Sequence, residues 1–493
     1  MKRIHVITVL LLSAAVLSVS CSAVRKCKDP ELNLPEQISA GHSDSLTIAD
    51  VEWWKFYGDT TLCRIIERTL ENNKDMLAAA ARVEQMRQLY RIGKAQRLPN
   101  LSTGVYANNE TNDYYDSKSV RDPEMGAKVT LSWELDLWGN LRWAKRKAGA
   151  EYMASVEQQR AMRMTLIAEV ATAYFTLMAL DNELTIVRRT LVTRDEGVTQ
   201  AKLRFEGGLT SETVFQQAKV EYATTAALIP DLERRIEITE NAIGLLMGEY
   251  PDIHVDRSEM DIDVELPDNL PIGLPSELLQ RRPDIRESEQ KLRASMAGVG
   301  IAYADRFPRL TFNLTGGLEN DGLKGFFQSP FSYVAGTLAS PIFGFGRKQA
   351  KYRAAIAEYD QARLAYEKKV LEAFKEVDDA VVTLRNIHRT AQLKENLRDA
   401  ARKYVLLAHL QYRGGSINYI DVLDAQRRYF EAQIGLSNAV RDEHLAIVQL
   451  YKALGGGWEM EQQTDDTAGK ADKAGKAGKE KTSGKPKQKN AEE

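Results

Sequence analysis

Few side chains in this 493-residue chain are placed to do chemistry. The three cysteines, Cys21, Cys27 and Cys63, fit neither a zinc-ligand spacing nor an evident disulfide framework. The six histidines form no HExxH motif and no cluster with Cys or Asp. Metal-ion and nucleophile catalysis are therefore disfavoured, a secreted hydrolase among them, and no catalytic or metal site is expected. Two acids stand out by spacing. Asp421 and Asp424, three residues apart just after a glycine pair, share one helix face. On local grounds alone, an acid in a helix's first turn serves the helix dipole, and Asn418 with Asp421 could form a capping pair. The net charge of −2 gives no general attraction to nucleic acid or to an anionic membrane, and no nucleic-acid partner is expected.

Cys21 has its own context. Lys2 and Arg3 precede an apolar run from Val6 to Val19, which stops at Ser20-Cys21. The run is too short and wrongly flanked for a transmembrane helix, so residues 1–20 read as a secretory signal. A small residue followed by Cys at the end of such a run resembles a bacterial lipoprotein signal. Cleavage before Cys21 would leave its sulfur and amine to carry lipid, the one covalent group expected, and no cofactor is expected beside it. Ser18 stands where that signal usually has a bulky aliphatic residue, and ordinary cleavage beside an incidental cysteine is the alternative.

The elements that must position these residues are duplicated. Phe205-Glu206-Gly207-Gly208 is echoed by Tyr412-Arg413-Gly414-Gly415; Gly207 and Gly414 stand 207 residues apart, as do Ala218 and Ala425. Paired glycines suit a tight reversal between antiparallel helices. Each half reads as a helix, two strands, a very long helix, a glycine turn and a return helix. The segment Leu141–Glu206 and the segment from Gly346 to Arg413 lack proline, and ~65 helical residues span roughly 100 Å, more than a compact domain holds. The pattern predicts helix over 62–96, 211–247 and 278–305 as well. Between them, Ala127, Val129, Leu131, Trp133, Leu135 and Leu137 alternate with Lys128, Thr130, Ser132, Glu134 and Asp136, as a strand with two unlike faces requires. A soluble sandwich strand and a membrane barrel strand both fit. Residues 310–319 alternate likewise, and a looser strand is expected over 331–343.

The expected organisation is a signal peptide (1–20), an extended N-terminal segment (21–61) and a first repeat (62–250) with strands at about 98–137. A linker (251–274) leads to a second repeat (275–457) with strands at about 307–343, then a lysine-rich disordered tail (458–493). Four strands in one chain cannot close a barrel, and an open sheet in lipid leaves its edges unpaired, so a membrane location would demand oligomerisation. The aromatic cluster Trp53-Trp54-Lys55-Phe56-Tyr57 either staples the first helix to a neighbour or meets another chain.

Four motifs together resemble one family. They are Trp53-Trp54-Lys55-Phe56 with Asp59 and Leu62; Arg281-Arg282-Pro283-Asp284-Ile285-Arg286 with Glu289; Phe307-Pro308 with Phe345-Gly346-Arg347; and Tyr412-Arg413-Gly414-Gly415 through Asp421-Val422-Leu423-Asp424-Ala425. In this order they are similar to the TolC-like outer membrane factors, in the lipoprotein branch that serves RND-type efflux pumps. The resemblance implies a homotrimer of mixed α and β structure, in which four strands per chain make a 12-stranded β-barrel in the outer membrane. An α-helical barrel continues it through the periplasm. It implies passive conduction of drugs or other small molecules, with a periplasmic adaptor and an inner-membrane RND-type transporter as partners, no enzymatic activity, and outer-membrane lipid around the barrel.

The resemblance also assigns roles. Asp421 and Asp424 match the acidic rings that set ion preference at a constricted periplasmic mouth, where a trimer would gather six carboxylates. Tyr412 matches a tyrosine that helps hold that mouth closed. The arginine of that network is replaced by Ile417, which points to Arg413 or Arg427 instead. Gly207, Gly208, Gly414 and Gly415 would be left-handed turn residues and the surface on which the adaptor docks. The nearest alternative is an outer-membrane exit duct for protein secretion; a periplasmic coiled-coil scaffold without a pore is the alternative of a different class.

Overall fold

A computed structural model describes residues 27–32, 47–112, 115, 120–251, 253–258, 275–339 and 343–458. The expected signal segment, Cys21, most of the linker and nearly all of the lysine-rich tail lie outside these described residues. After a short helix α1 (Trp53–Tyr57), α2 (Thr60–Asn72) begins where the Asp59 carboxylate accepts the N–H groups of Thr61 and Leu62 at 2.7 and 3.2 Å. The helix expected over 62–96 is in fact two. Asn73 ends α2 and caps α3 (Lys74–Ala95), accepting from Asp75 and Met76 at 3.0 and 3.1 Å. A polar residue that can bond its own downstream backbone competes with helix continuation, and here it wins.

Strands β1 (Asn100–Asn112) and β2 (Val120–Leu135) follow. The alternation noted in the sequence runs on to Leu137, but the strand stops at Leu135 because Asp136 has another task. Its carboxylate accepts the N–H groups of Leu141 and Arg142 at 3.0 and 2.8 Å, closing the start of α4 (Asn140–Glu206). That helix has 67 residues. Its return path is α5 (Glu212–Ala226) and α6 (Leu228–Met247) rather than one helix. Pro230 has no N–H to give the carbonyl four residues back, which accounts for the break at Ala227.

The second repeat follows the same order. In it come α7 (Pro275–Arg281), α8 (Pro283–Ala304), β3 (Arg309–Asn320), β4 (Pro330–Ala339), α9 (Arg347–Arg413) and α10 (Tyr419–Ala453). The helix expected over 278–305 is split at Arg282, because Pro283 opens α8 and restrains the residue before it. The strand expected over 331–343 spans 330–339, and residues 340–342 lie outside the described set.

The four strands form one antiparallel sheet in the order β1-β2-β3-β4. Thr130 stands opposite Ser102 on one side and Thr315 on the other, and the two threonine hydroxyls lie 3.1 Å apart. Both 67-residue helices start where a strand leaves the sheet, so their glycine ends lie about 100 Å away from it. The middle of α4 is core: Ile167, Val170, Tyr174 and Leu177 are buried with Leu62 and Ile66 of α2. The aromatic cluster of α1 is spent within the chain. Trp53 is buried, Phe56 stacks on Tyr451 at 4.4 Å, and the Tyr451 hydroxyl donates to the Val51 carbonyl at 2.7 Å.

Candidate functional site

The two glycine turns are built alike. Gly207 N–H donates to the Leu203 carbonyl, Gly208 to Phe205 and Leu209 to Arg204, at 2.8–3.0 Å. In the second repeat Gly414 donates to Leu410, Gly415 to Tyr412 and Ser416 to Gln411, at 2.9–3.0 Å. One expectation needs correction. Only Gly208 and Gly415 are left-handed, with φ of 70° and 75°. Gly207 and Gly414 keep helical φ of −78° and −77°, since their N–H groups still bond the preceding turn.

Tyr412 ends α9 inside a small apolar cluster with Ala408, Val422 and Ala425, and Ile417 packs there too. Its ring lies 5.4 Å from that of Tyr419, and the Arg204 guanidinium, from the other repeat's turn, sits 5.1 Å from its centre. Ile417 thus fills this turn with packing where the family resemblance would have placed an arginine. Tyr419 reaches further across: a Cβ on Gly197 of α4 would stand 2.8 Å from the Tyr419 hydroxyl, so any larger residue there would push that hydroxyl aside. Gly197, one of two glycines in this 67-residue helix, is a sequence signal for close contact between the repeats.

Asp421 and Asp424 are both on the first turns of α10, yet they are engaged differently. Asp421 forms the capping box with Asn418, accepting its N–H at 3.0 Å. Asp424 is held by Arg427 at 2.5 Å and Arg428 at 2.7 Å. The Arg428 hydrogen bond, and then that of Arg427, keep the Asp424 carboxyl below its usual range. Arg427, singled out in the sequence, is therefore bonded to the very acid it was expected to accompany. Arg428 was not foreseen. Among the described residues no group of His, Cys, Asp and Glu is placed to hold a metal ion.

A second polar centre lies within repeat 2, at the break between α7 and α8. Arg282 is buried and donates to the Ala453 carbonyl at 3.0 Å, to Asp284 at 2.8 and 3.1 Å, and to Glu376 at 2.5 Å. Burial by itself would raise the Asp284 carboxyl, but the bonds and charge of Arg282, with Lys369 at 3.0 Å, outweigh it and hold the carboxyl at about 2. The motif Arg281-Arg282-Pro283-Asp284 is thus a structural joint.

At the opposite end of the long helices the sheet has two unlike faces. Lys128, Thr130, Thr315 and Glu319 share the polar face with Tyr106, whose hydroxyl lies 2.7 Å from Glu319 and 3.0 Å from Glu124. The other face carries Leu101, Val105, Val129, Leu314, Val334 and Leu338, all exposed. A soluble sandwich would lay a second layer on this face, and among the described residues nothing covers it. β1 and β4 are free edges within the chain.

The chain matches the family model described as outer membrane efflux protein over residues 65–249 and 274–456, one block in each repeat. It is similar to the solvent efflux pump outer membrane protein SrpC of Pseudomonas putida, 33% identical over 86% of this chain and 92% of that protein. The probable outer membrane lipoprotein SilC of Salmonella typhimurium is 29% identical over 93% of this chain and 99% of its own length. Among solved structures, the outer-membrane channel OprN superposes with a TM-score of 0.80 at 28% identity, covering 87% of this chain and 99% of OprN.

Proposed function

The chain belongs to the outer membrane efflux protein family, and on that premise we propose that it is the outer-membrane duct of a tripartite efflux system. It conducts small molecules passively from an inner-membrane pump and its periplasmic adaptor to the outside. One observation carries this reading: a sheet with one exposed apolar face stands at the far end of two 67-residue helices. Apolar residues facing lipid and polar residues facing a lumen are what a membrane strand needs, and its 10–16 residues per strand suffice where about 9–11 cross a bilayer. A pore-free scaffold has no use for such a sheet.

An open edge cannot persist in lipid, so three copies are proposed to close a 12-stranded barrel, each giving four strands. The likeness to SilC, named a lipoprotein, supports acylation of Cys21 as the anchor. At the other end, the turns at Gly207, Gly208, Gly414 and Gly415 would receive the adaptor. Asp421, Asp424 and Tyr412 would form the periplasmic gate, with acids that favour cations when gathered round one opening. The pump supplies the energy and no cofactor is required.

Single-channel conductance of the purified protein in a planar bilayer, with oligomer mass from the same preparation, tests the reading. A trimer with small, cation-preferring currents is expected. A single-chain mass with no current overturns it.

A further inference from the structure

Charge is spread very unevenly along this chain. Its 67 Lys and Arg nearly match 69 Asp and Glu, yet the helix segments next to the sheet are far from balanced. Segments 87–97, 141–150 and 345–353 hold four Lys or Arg each and no acid. Segment 303–309 holds Arg306 and Arg309 against Asp305, whose carboxylate Arg309 and Lys351 share at 3.1 and 3.2 Å. At the far ends of the strands the sign reverses. There Glu110 stands opposite Asp122, and Glu124 and Glu319 share the Tyr106 hydroxyl.

The duplication picks out the cations built into both repeats. Elements leading into each hairpin are related by a shift of 209 residues and those leaving it by 207. The observed sheet obeys both shifts, since Asn100 opposite Ser132 becomes Arg309 opposite Ala339. By these shifts Arg97 becomes Arg306, and Arg146 becomes Arg353. Local structure agrees. The Arg97 and Arg306 N–H groups each donate to the carbonyl three residues back, at 3.4 and 3.2 Å, as the chain leaves a helix for its strand. Arg146 and Arg353 each lie six residues past the start of a 67-residue helix, ~9 Å along it.

All four arginines are exposed, and among the described residues none meets a carboxylate. Arg146 rests on the Trp143 ring at 4.6 Å, and Arg306 on the rings of Tyr303 and Tyr352 at 5.4 Å. Such contacts steady a guanidinium and leave it without a counter-charge. Trp133, on the apolar face, sets their level: its indole N–H donates to the Arg97 carbonyl at 3.2 Å. An apolar ring with one bonded N–H suits the membrane–water interface, and exposed Phe345 stands at this same end of the sheet. A second copy would bring the same excess of cations here, and the glycine turns lie about 100 Å away. That leaves the membrane as the source of counter-charge.

We propose that Arg97, Arg146, Arg306 and Arg353 form a belt at the foot of the sheet that binds the phosphate headgroups of anionic phospholipids, in the leaflet facing the long helices. The belt presupposes the reading above, that the apolar face lies in lipid, and it adds the class of lipid. Clustered Lys and Arg beside an apolar surface attract anionic lipid. Arginine's planar fork meets two phosphate oxygens at once, and Lys94, Lys145 and Lys348 nearby add charge without that geometry. With acids at the opposite ends of the strands, the sheet favours anionic headgroups on one side only.

Lipid retained by the purified full-length protein tests the belt. The protein is gel-filtered from dodecyl maltoside micelles holding equal amounts of phosphatidylglycerol and phosphatidylcholine, and retained lipid and oligomer mass are measured on one fraction. The parent should retain phosphatidylglycerol over phosphatidylcholine by about threefold or more at ~0.1 M NaCl, with the ratio falling toward one at ~0.5 M as screening tightens. Combining Arg97→Gln, Arg146→Gln, Arg306→Gln and Arg353→Gln should bring the low-salt ratio near one, with oligomer mass and bilayer current unchanged. Lys at the same four positions should keep most of the preference. Removing four exposed cations farther along α9, by Lys368→Gln, Arg389→Gln, Arg402→Gln and Lys403→Gln, should leave it intact. A parent ratio of one, an equal loss in that control, or full retention in the belt's Gln variant overturns the belt; a parent that still gives a trimer mass and currents then leaves the membrane reading standing. Loss of the preference to millimolar inorganic phosphate overturns lipid as the ligand. If the Gln variant does not fold, the salt series and the Lys variant decide, and a preference indifferent to salt overturns the belt. A single-chain parent without current overturns the membrane reading itself.

Discussion

The Arg282 guanidinium donates to the Ala453 carbonyl at 3.0 Å, and the Asn73 amide donates to the Leu246 carbonyl at 2.9 Å. Those two carbonyls stand 207 residues apart, at the last turns of the two return paths. Each donor sits at the break in its repeat's leading helix, so break and cap are one device used twice. Asn73 does this as a neutral group. Arg282 does it as a buried cation and therefore needs Asp284 and Glu376 beside it.

Arg282→Ala should cost more than Asn73→Ala. Removing the arginine leaves Asp284 facing Lys369 alone and orphans a helix-end carbonyl, a loss of about 3–5 kcal/mol for a broken buried pair. Losing the Asn73 amide costs the smaller penalty of unpaired polar groups, about 1–3 kcal/mol. Thermal unfolding of the purified protein, followed by its helical circular dichroism, should show the larger fall in midpoint for Arg282→Ala. The reverse order would place the main joint in repeat 1.

The same joint should be acid-sensitive in a defined window. The Asp284 carboxyl is held at about 2 against an ordinary 3.8, so its contribution, about 2 kcal/mol, is complete above the unfolded value. It is lost as pH falls through the folded value. Asp284→Asn should therefore destabilise the protein at pH 7, and the gap between variant and parent should narrow from pH 4 to pH 2. Urea midpoints across that range measure it, and a gap constant with pH would show that the carboxylate's charge is not what matters.

Much of this was legible in the sequence because it repeats. The two 67-residue helices, the alternation at 127–135 and the glycine turns all come from periodicity and from proline's absence. The break at Asn73 was not legible, because an asparagine also suits a helix's exposed face and the carbonyl it bonds is more than 170 residues away; at Arg282 the breaker Pro283 stood in view, but the carbonyl that the arginine caps is equally remote. Pro230 was a visible breaker that a continuous pattern masked. Asp136 extended the polar side of a strand pattern while serving as a helix cap, and only the turn geometry separates those uses. At the turn end, the sequence marked Asp421 and Asp424 as a pair, and side-chain geometry distinguishes them.

Substitution in the glycine turns should be asymmetric. Gly208→Ala and Gly415→Ala force a side chain into the left-handed region at open positions, so each should cost about 1 kcal/mol. Gly414→Ala should be nearly neutral, because its φ is helical and an added Cβ would meet only ordinary contacts at 3.5 Å. If these turns also receive an adaptor, Gly414→Ala should lower drug export in cells despite unchanged thermal stability. Full export by that variant would confine the turns to a structural role.

Asp421 and Asp424 should differ in what they give the gate. Asparagine at Asp421 can still accept the Asn418 N–H, so Asp421→Asn removes charge while keeping the cap. Asp424→Asn removes charge and also takes from Arg427 and Arg428 the one carboxylate they share, leaving two cations without that counter-charge. Asp424→Asn should therefore move the reversal potential under a KCl gradient further toward anion preference than Asp421→Asn does, and the double variant furthest of all. Because the arginines hold the Asp424 carboxyl below 3.8, its charge persists as pH falls and is lost only below the ordinary carboxylate range. The parent channel should accordingly keep the Asp424 share of its cation preference near pH 4, and Asp424→Asn should lose that share. A double variant with an unchanged reversal potential would remove both acids from the conducting path.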